Sequence, residues 1–208
     1  MKNKILIFDF DGTIADTFAT IVTICNQLAD EYNFHKITMS EAQVMKNNTL
    51  KETIQQLNIP LLKIPIIITK AKTALFKDIT NIRLIDGVKD VLIQLDQLGV
   101  QMGILTSNST QNVEGFLKNH GLDVFDFVNS TSKIWSKDVN IKKVITAHNF
   151  NLDEVIYVGD ETRDADAARR VGIKIASVTW GYNSPKVLSA QNPDYLITKP
   201  EQLLDIVK

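Results

Sequence analysis

Three short polar clusters in this 208-residue chain carry residue types suited to chemistry on an anionic group. The first is Asp9-Phe10-Asp11-Gly12-Thr13, which directly follows the apolar run Ile5 to Phe8. In a strand, residues two apart share a face, so Asp9 and Asp11 point the same way. Two neighbouring carboxylates repel each other. They suit either a bound divalent cation or a pair in which one carboxyl keeps a proton for acid–base work. Gly12 then allows a tight exit from the strand. The second cluster, Thr106-Ser107-Asn108, places hydroxyl and amide donors at the start of a helical pattern, a natural cradle for an oxyanion or a phosphate. The third is Gly159-Asp160, with Asp164 about one helical turn later. Brought to the first cluster, these acids add charge to a place already holding two carboxylates, which calls for a bound cation. Hard oxygen ligands point to magnesium.

For the clusters to meet, each must sit at the carboxyl end of a strand in one open sheet. The sequence predicts strands at 4–10, 101–106, 125–129, 154–158, 173–179 and 195–197. The first lacks strict alternation, which suits a strand buried on both faces of a parallel sheet. Helical spacing appears at 88–98, 111–119, 139–148 and 164–171. Strands alternating with helices imply an α/β fold with a doubly wound, Rossmann-like parallel sheet. The connection after the first strand is far longer than the roughly 30 residues of a βαβ unit. Its predicted helices lie at 17–33, 40–46, 50–57 and 64–78, with Pro65 in a first turn. Residues 1–14 and 85–208 are therefore read as the core, and 15–84 as an inserted all-helical cap above the end of the first strand.

Composition narrows the choices. With 44% hydrophobic and 23% charged residues and a net charge of -1, the chain has no electrostatic footprint for nucleic acid or an anionic membrane. A small anionic substrate needs only a local positive site. Cys25, the single cysteine, sits in an apolar helical run and reads as a packing residue. The N-terminal apolar run breaks at Asp9, and no stretch approaches the roughly 20 residues that span a bilayer. The expected location is the cytoplasm, and the expected state is a monomer or homodimer.

These residues, in this order, resemble the haloacid dehalogenase-like hydrolases, specifically the phosphoglycolate phosphatase-like branch with a helical cap. Asp9 to Thr13 resembles the family's first motif, Thr106 to Asn108 its second, and Gly159 to Asp164 its fourth. Lys137 takes the place of the third-motif lysine, although the usual flanking prolines are missing; Lys133 is the rival. The segments 178–184 and 192–197 are also similar to this branch.

The resemblance implies a magnesium-dependent phosphohydrolase acting on a small phosphorylated metabolite. Asp9 would attack phosphorus, and Asp11 would serve as acid and then base. Thr106 and Lys137 complete the catalytic set. Gly12, Thr13, Ser107, Asn108 and Lys46 are expected at the substrate, Lys46 from a polar break at 46–48 in the cap. Magnesium would bind Asp9, the Asp11 carbonyl and Asp160, with Asp164 direct or one layer out. Trp180 is a packing residue or a wall of the site, and Arg163 is a solvated charge or a partner for Asp166. A sugar-phosphate mutase uses the same chemistry. A phospho-aspartate signalling receiver is disfavoured, because its acceptor lies on a middle strand and it lacks such an insert. A non-catalytic binding protein is disfavoured because every motif position holds a competent residue.

Overall fold

The computed structural model describes residues 4–77, 79–131 and 136–208. Six strands form one parallel sheet: β1 (Ile5–Phe8), β2 (Gln101–Thr106), β3 (Phe127–Ser130), β4 (Val155–Gly159), β5 (Lys174–Val178) and β6 (Tyr195–Ile197). Their spatial order is β3-β2-β1-β4-β5-β6. The helices are α1 (Phe18–Tyr32), α2 (Met39–Met45), α3 (Leu50–Gln56), α4 (Ile64–Lys77), α5 (Val88–Gln97), α6 (Thr110–Asn119), α7 (Lys137–Ala147), α8 (Thr162–Val171) and α9 (Pro185–Ser189).

β1 lies between β2 and β4 and is buried along its whole length. Its side chains alternate between two cores. Leu6 and Phe8 pack with Val91 and Leu95 of α5 and Val113 and Phe116 of α6. Ile5 and Ile7 pack with Ile141 of α7 and Ala165 and Ala168 of α8. Burial on both faces explains why this strand reads as a continuous apolar run. The order reverses at β1, the switch point where open α/β sheets bind ligands.

α1 to α4 fill the connection between β1 and α5. The chain leaves and returns through paired segments: Asp16 N–H donates to the Arg83 carbonyl (2.9 Å) and Ile85 N–H to that of Ile14 (3.0 Å). The proposed cap, residues 15–84, lies between these paired segments. α2 and α3 each begin with a capping box, Thr38 with Glu41 and Thr49 with Glu52. The polar break at 46–48 is the turn between them.

Several limits differ from the sequence reading. β3 starts at Phe127 rather than 125, because the Asp126 carboxylate takes the Met102 N–H (3.0 Å) before the ladder begins. Gly103 makes room there, since a Cβ on it would meet the Phe127 ring at 2.0 Å. α6 begins at Thr110, with the Ser109 hydroxyl accepting from Asn112 N–H (3.2 Å). α9 was not anticipated, although Ser184 followed by Pro185 is a helix-start signal. Among the described residues, no helix is long and apolar enough to cross a membrane.

Candidate active site

The carboxyl ends of β1, β2 and β4 converge with the first turns of α7 and α8. Asp9 follows the last paired residue of β1, and its N–H still bonds to the Val158 carbonyl (2.8 Å), so β4 fixes its backbone. Asp160 follows β4, and Asp164 lies in the first turn of α8. Carboxylate oxygens of Asp9, Asp160 and Asp164 all lie within 4.8 Å of one another, and all three residues are buried.

Lys137, the first residue of α7, is also buried and bridges two of them. Its Nζ donates to Asp9 Oδ2 (2.6 Å) and to Asp164 Oδ1. Burial works against its charge, but Asp164 and Asp9 outweigh this and hold its pKa well above the usual value. Burial raises the pKa of Asp164, with Lys137 opposing. It raises that of Asp160 further, helped by Glu161, Asp164 and Asp9. Three buried carboxylates with one buried lysine leave an excess of negative charge, and a divalent cation would relieve it. Their oxygens are the hard donors that such a cation prefers, so this residue set fits a metal site.

Three glycines give the carboxylates space. A Cβ on Gly12 would lie 2.3 Å from Asp160 Oδ2, one on Gly181 2.1 Å from the same atom, and one on Gly159 2.3 Å from Asp164 Oδ2. Gly12 also has φ +77°, a conformation that favours glycine. Asp160 is held by the Thr13 hydroxyl (2.9 Å) and the Tyr182 N–H (2.7 Å). Thr13, expected at the substrate, thus has its hydroxyl committed to a carboxylate.

Asp11 is partly exposed, but its Oδ1 is buried and has no hydrogen-bond partner among the described residues. Burial, then the charge of Asp9, pushes its pKa up to about 7; nearby Thr17, Asn108 and Arg163 oppose this. A carboxyl in that range exchanges protons readily near neutrality. Thr106 Oγ1 accepts the Asn108 N–H (2.9 Å), which shapes the turn after β2. Asn108 Oδ1 accepts from Ser109 N–H and the Asn112 amide, leaving Asn108 Nδ2 buried without a partner. Ser107 is partly exposed beside it. An unmet acceptor on Asp11 and an unmet donor on Asn108 suit a polar ligand.

Above these groups lies the seam with the α2–α3 turn. Lys46 Nζ donates to the Gly181 carbonyl (2.7 Å) and sits 4.1 Å from the centroid of the Phe18 ring. Burial lowers its pKa, while Asp160 and Asp16 oppose the change. Asn183 ties the two layers together. Its Nδ2 donates to the carbonyls of Asn48 (2.9 Å) and Lys46 (3.2 Å), and its Oδ1 accepts the Thr162 N–H (2.8 Å).

Sequence reasoning missed Gly181, Tyr182 and Asn183 as positioning residues, although their place just after β5 was a usable signal. Thr17, whose hydroxyl contacts Tyr182 Oη (2.9 Å), was missed as well. Trp180 packs at the rim, its Nε1–H donating to the Thr13 carbonyl (3.1 Å). Arg163 pairs with Glu161 rather than Asp166, which pairs with Arg169 instead (3.1 Å). The Cys25 thiol is pushed up to about 11 by burial, consistent with packing. Lys133 and Trp135 lie outside the described residues.

The whole chain is similar to known proteins. A phosphoglycolate phosphatase from Synechococcus elongatus is 34% identical over 203 residues, covering 97% of this chain and 96% of that protein. The pyrophosphatase PpaX from Bacillus velezensis is 27% identical, covering 97% and 94%. A solved haloacid dehalogenase-like protein from Streptococcus pneumoniae superposes with a TM-score of 0.83 at 21% identity, over 100% and 99% of the two chains. That likeness speaks to the fold. The model for haloacid dehalogenase-like hydrolases matches residues 6–178, from the strand carrying Asp9 to the end of β5. By that match, and by its full-length relatives, the chain belongs to the haloacid dehalogenase-like hydrolase family.

Proposed function

We propose that this chain hydrolyses small phosphomonoesters in two half-reactions through Asp9, with magnesium held by Asp9, the Asp11 carbonyl, Asp160 and Asp164. The observation that carries the reading is the buried group of Asp9, Asp160 and Asp164 with a single lysine, placed at the sheet's switch point. Bound there, magnesium would offset the repulsion between the carboxylates and an incoming phosphate.

The protein's own residues perform the remaining steps. An Asp9 oxygen attacks phosphorus in line; the bond to the leaving oxygen breaks, and that oxygen takes the Asp11 proton. Asp11, now ionised, removes a proton from water. The water attacks the aspartyl-phosphate, and the Asp9–phosphorus bond breaks to release phosphate. A pKa near 7 lets Asp11 serve both halves. Asn108 Nδ2 and the backbone after Thr106 would donate to phosphoryl oxygens. Lys137 holds Asp9 oriented and balances charge on it. Lys46 spends one of its three N–H bonds on Gly181, leaving two for the substrate at the Asp160 side.

The full-length relatives named as phosphoglycolate phosphatases and a pyrophosphatase support a compact, anionic phosphorylated metabolite as substrate. Phosphate release across a panel of such compounds, with Asp9→Asn as control, tests the reading. Silence across the panel in the presence of magnesium would refute it.

A further inference from the structure

Among the described residues, Tyr157 is the largest side chain that is fully buried, and its ring lies under the Lys137 ammonium. It sits in the middle of β4, where Val155, Ile156 and Val158 are all aliphatic. An aliphatic residue would also fill this layer beside Ile7, Ile141 and Ala168, with no buried hydroxyl to satisfy. The phenol is held at both ends. Burial raises its pKa well above the usual value, so the hydroxyl keeps its proton and donates it to the Leu105 carbonyl (3.1 Å). Leu105 belongs to β2, and β2 and β4 flank β1 on opposite sides. The side chain therefore reaches across β1 and braces both neighbours of the strand that delivers Asp9.

The upper contact of the ring is with charge. Lys137 Nζ lies over it, 5.2 Å from the centroid. Cation–π attraction acts within about 6 Å and is stronger at a dry site than at the surface. Two of the three ammonium donors go to Asp9 and Asp164. The Asp9 contact changes during the chemistry proposed above. Once an Asp9 oxygen bonds to phosphorus, the carboxylate becomes an acyl phosphate and its own charge is gone, to return only when water releases the phosphate. The neutral ring takes no part in either half-reaction, so its attraction for the ammonium is the same before and after that change.

Resting on the hydrolase reading above, we propose that Tyr157 is a positioning residue for Lys137. Its ring, tied to β2 through the hydroxyl, holds the ammonium beside Asp9 while the Asp9 carboxylate is consumed and regenerated. It touches no reacting atom and acts only through the lysine. The negative face of the ring, and not its bulk alone, then sets how fast Asp9 is phosphorylated and released.

The test varies that face at nearly constant shape. Tyr157→Phe keeps the ring and serves as the reference; 4-fluoro-, 3,5-difluoro- and 3,4,5-trifluorophenylalanine are then placed at position 157 by nonsense suppression, and Tyr157→Leu removes the ring. Each fluorine drains the negative face further. All variants are full-length with magnesium, on 2-phosphoglycolate and p-nitrophenyl phosphate. The single-turnover rate should fall stepwise along the series, by at least about fivefold from Phe to the trifluoro ring, and Leu should lie at least about tenfold below Phe. The half-saturating substrate concentration should stay within about threefold, because the ring acts on the reacting group and not on substrate binding. Repeating the series with Lys137→Met should flatten it, both in rate and in urea denaturation measured with chelator present. Equal rates along the fluorinated series, or the same decline with Lys137→Met, would reduce Tyr157 to a packing residue and overturn the proposal. A Leu variant that fails to fold leaves the fluorinated series to decide. If wild type hydrolyses neither compound, the hydrolase reading falls instead. The urea series alone then judges the contact: stability should decline with fluorination relative to the Lys137→Met background, and parallel series would overturn it.

Discussion

Removing the positive charge of Lys137 should damage stability and catalysis through separable routes. Its Nζ lies 2.6 Å from Asp9 Oδ2 and also bonds Asp164, and its side chain is 5% exposed. At an effective dielectric constant of about 20, the Asp9 contact alone corresponds to a gross attraction of about 6 kcal/mol. Desolvation offsets much of that. Deleting one partner of a buried pair still costs about 3–5 kcal/mol, because the remaining charges are stranded. Lys137→Met should therefore lose about that much in urea denaturation measured with chelator present. Adding Asp164→Asn removes one stranded carboxylate, and the double variant should recover at least half of the loss. Activity should not follow. Loss of a preorganised charge at the reacting group costs about 10²–10³ in kcat, and the double variant should stay at or below that level. A Lys137→Met loss under about 1 kcal/mol, a threshold set by surface pairs, would refute the buried-pair argument. So would simple addition of the two single losses.

Further tests concern the other site residues. Asp9→Asn should lower turnover more than about a thousandfold, since the isosteric amide is no nucleophile; retention of a tenth of wild-type phosphate release would exclude the covalent route. Chelator should abolish activity, and Asp160→Ala should sharply raise the magnesium concentration needed for half-maximal rate; full activity in excess chelator would contradict the metal assignment. Lys133→Ala should cost less than Lys137→Ala by about one to two orders of magnitude in kcat/KM, and the reverse order would transfer the lysine's role to Lys133. Asn183→Ala should raise KM and speed proteolytic cleavage near residues 46–48, because it removes the Asn183 bond to the Asn48 carbonyl and leaves the Lys46 carbonyl to the Ser184 N–H (2.8 Å); unchanged KM and cleavage would show that Asn183 does not hold the cap.

The strand-borne part of this site was legible because local rules govern it. Asp9 and Asp160 each follow a short apolar run, and strand ends in an α/β sheet are where ligands bind. Lys137 was harder to place, because its strength comes from contact with residues 128 and 27 positions away. No local pattern encodes that contact. The same limit hid the roles of Thr13 and of the segment 181–183. A threonine after a glycine reads as a ligand contact, and only the packing of β4 against β1 turns its hydroxyl onto Asp160.

The cap and the proposed metal site are joined through one stretch of backbone. Residues 181–183 give Asp160 its Tyr182 hydrogen bond and the room beside Gly181, and they also hold Lys46 and Asn48 from the cap. Opening the cap by moving the α2–α3 turn must break the Lys46–Gly181 bond, both bonds from the Asn183 amide, and the bonds from Ser184 to the Lys46 carbonyl and the Asn47 side chain. Those bonds pull on the same segment that positions Asp160. Cap position and carboxylate geometry are thus coupled by direct contact, without a long relay. Discrimination by the cap would then act on the chemistry itself, because the arrangement that recognises the leaving group is also the one in which Asp160 is fully held.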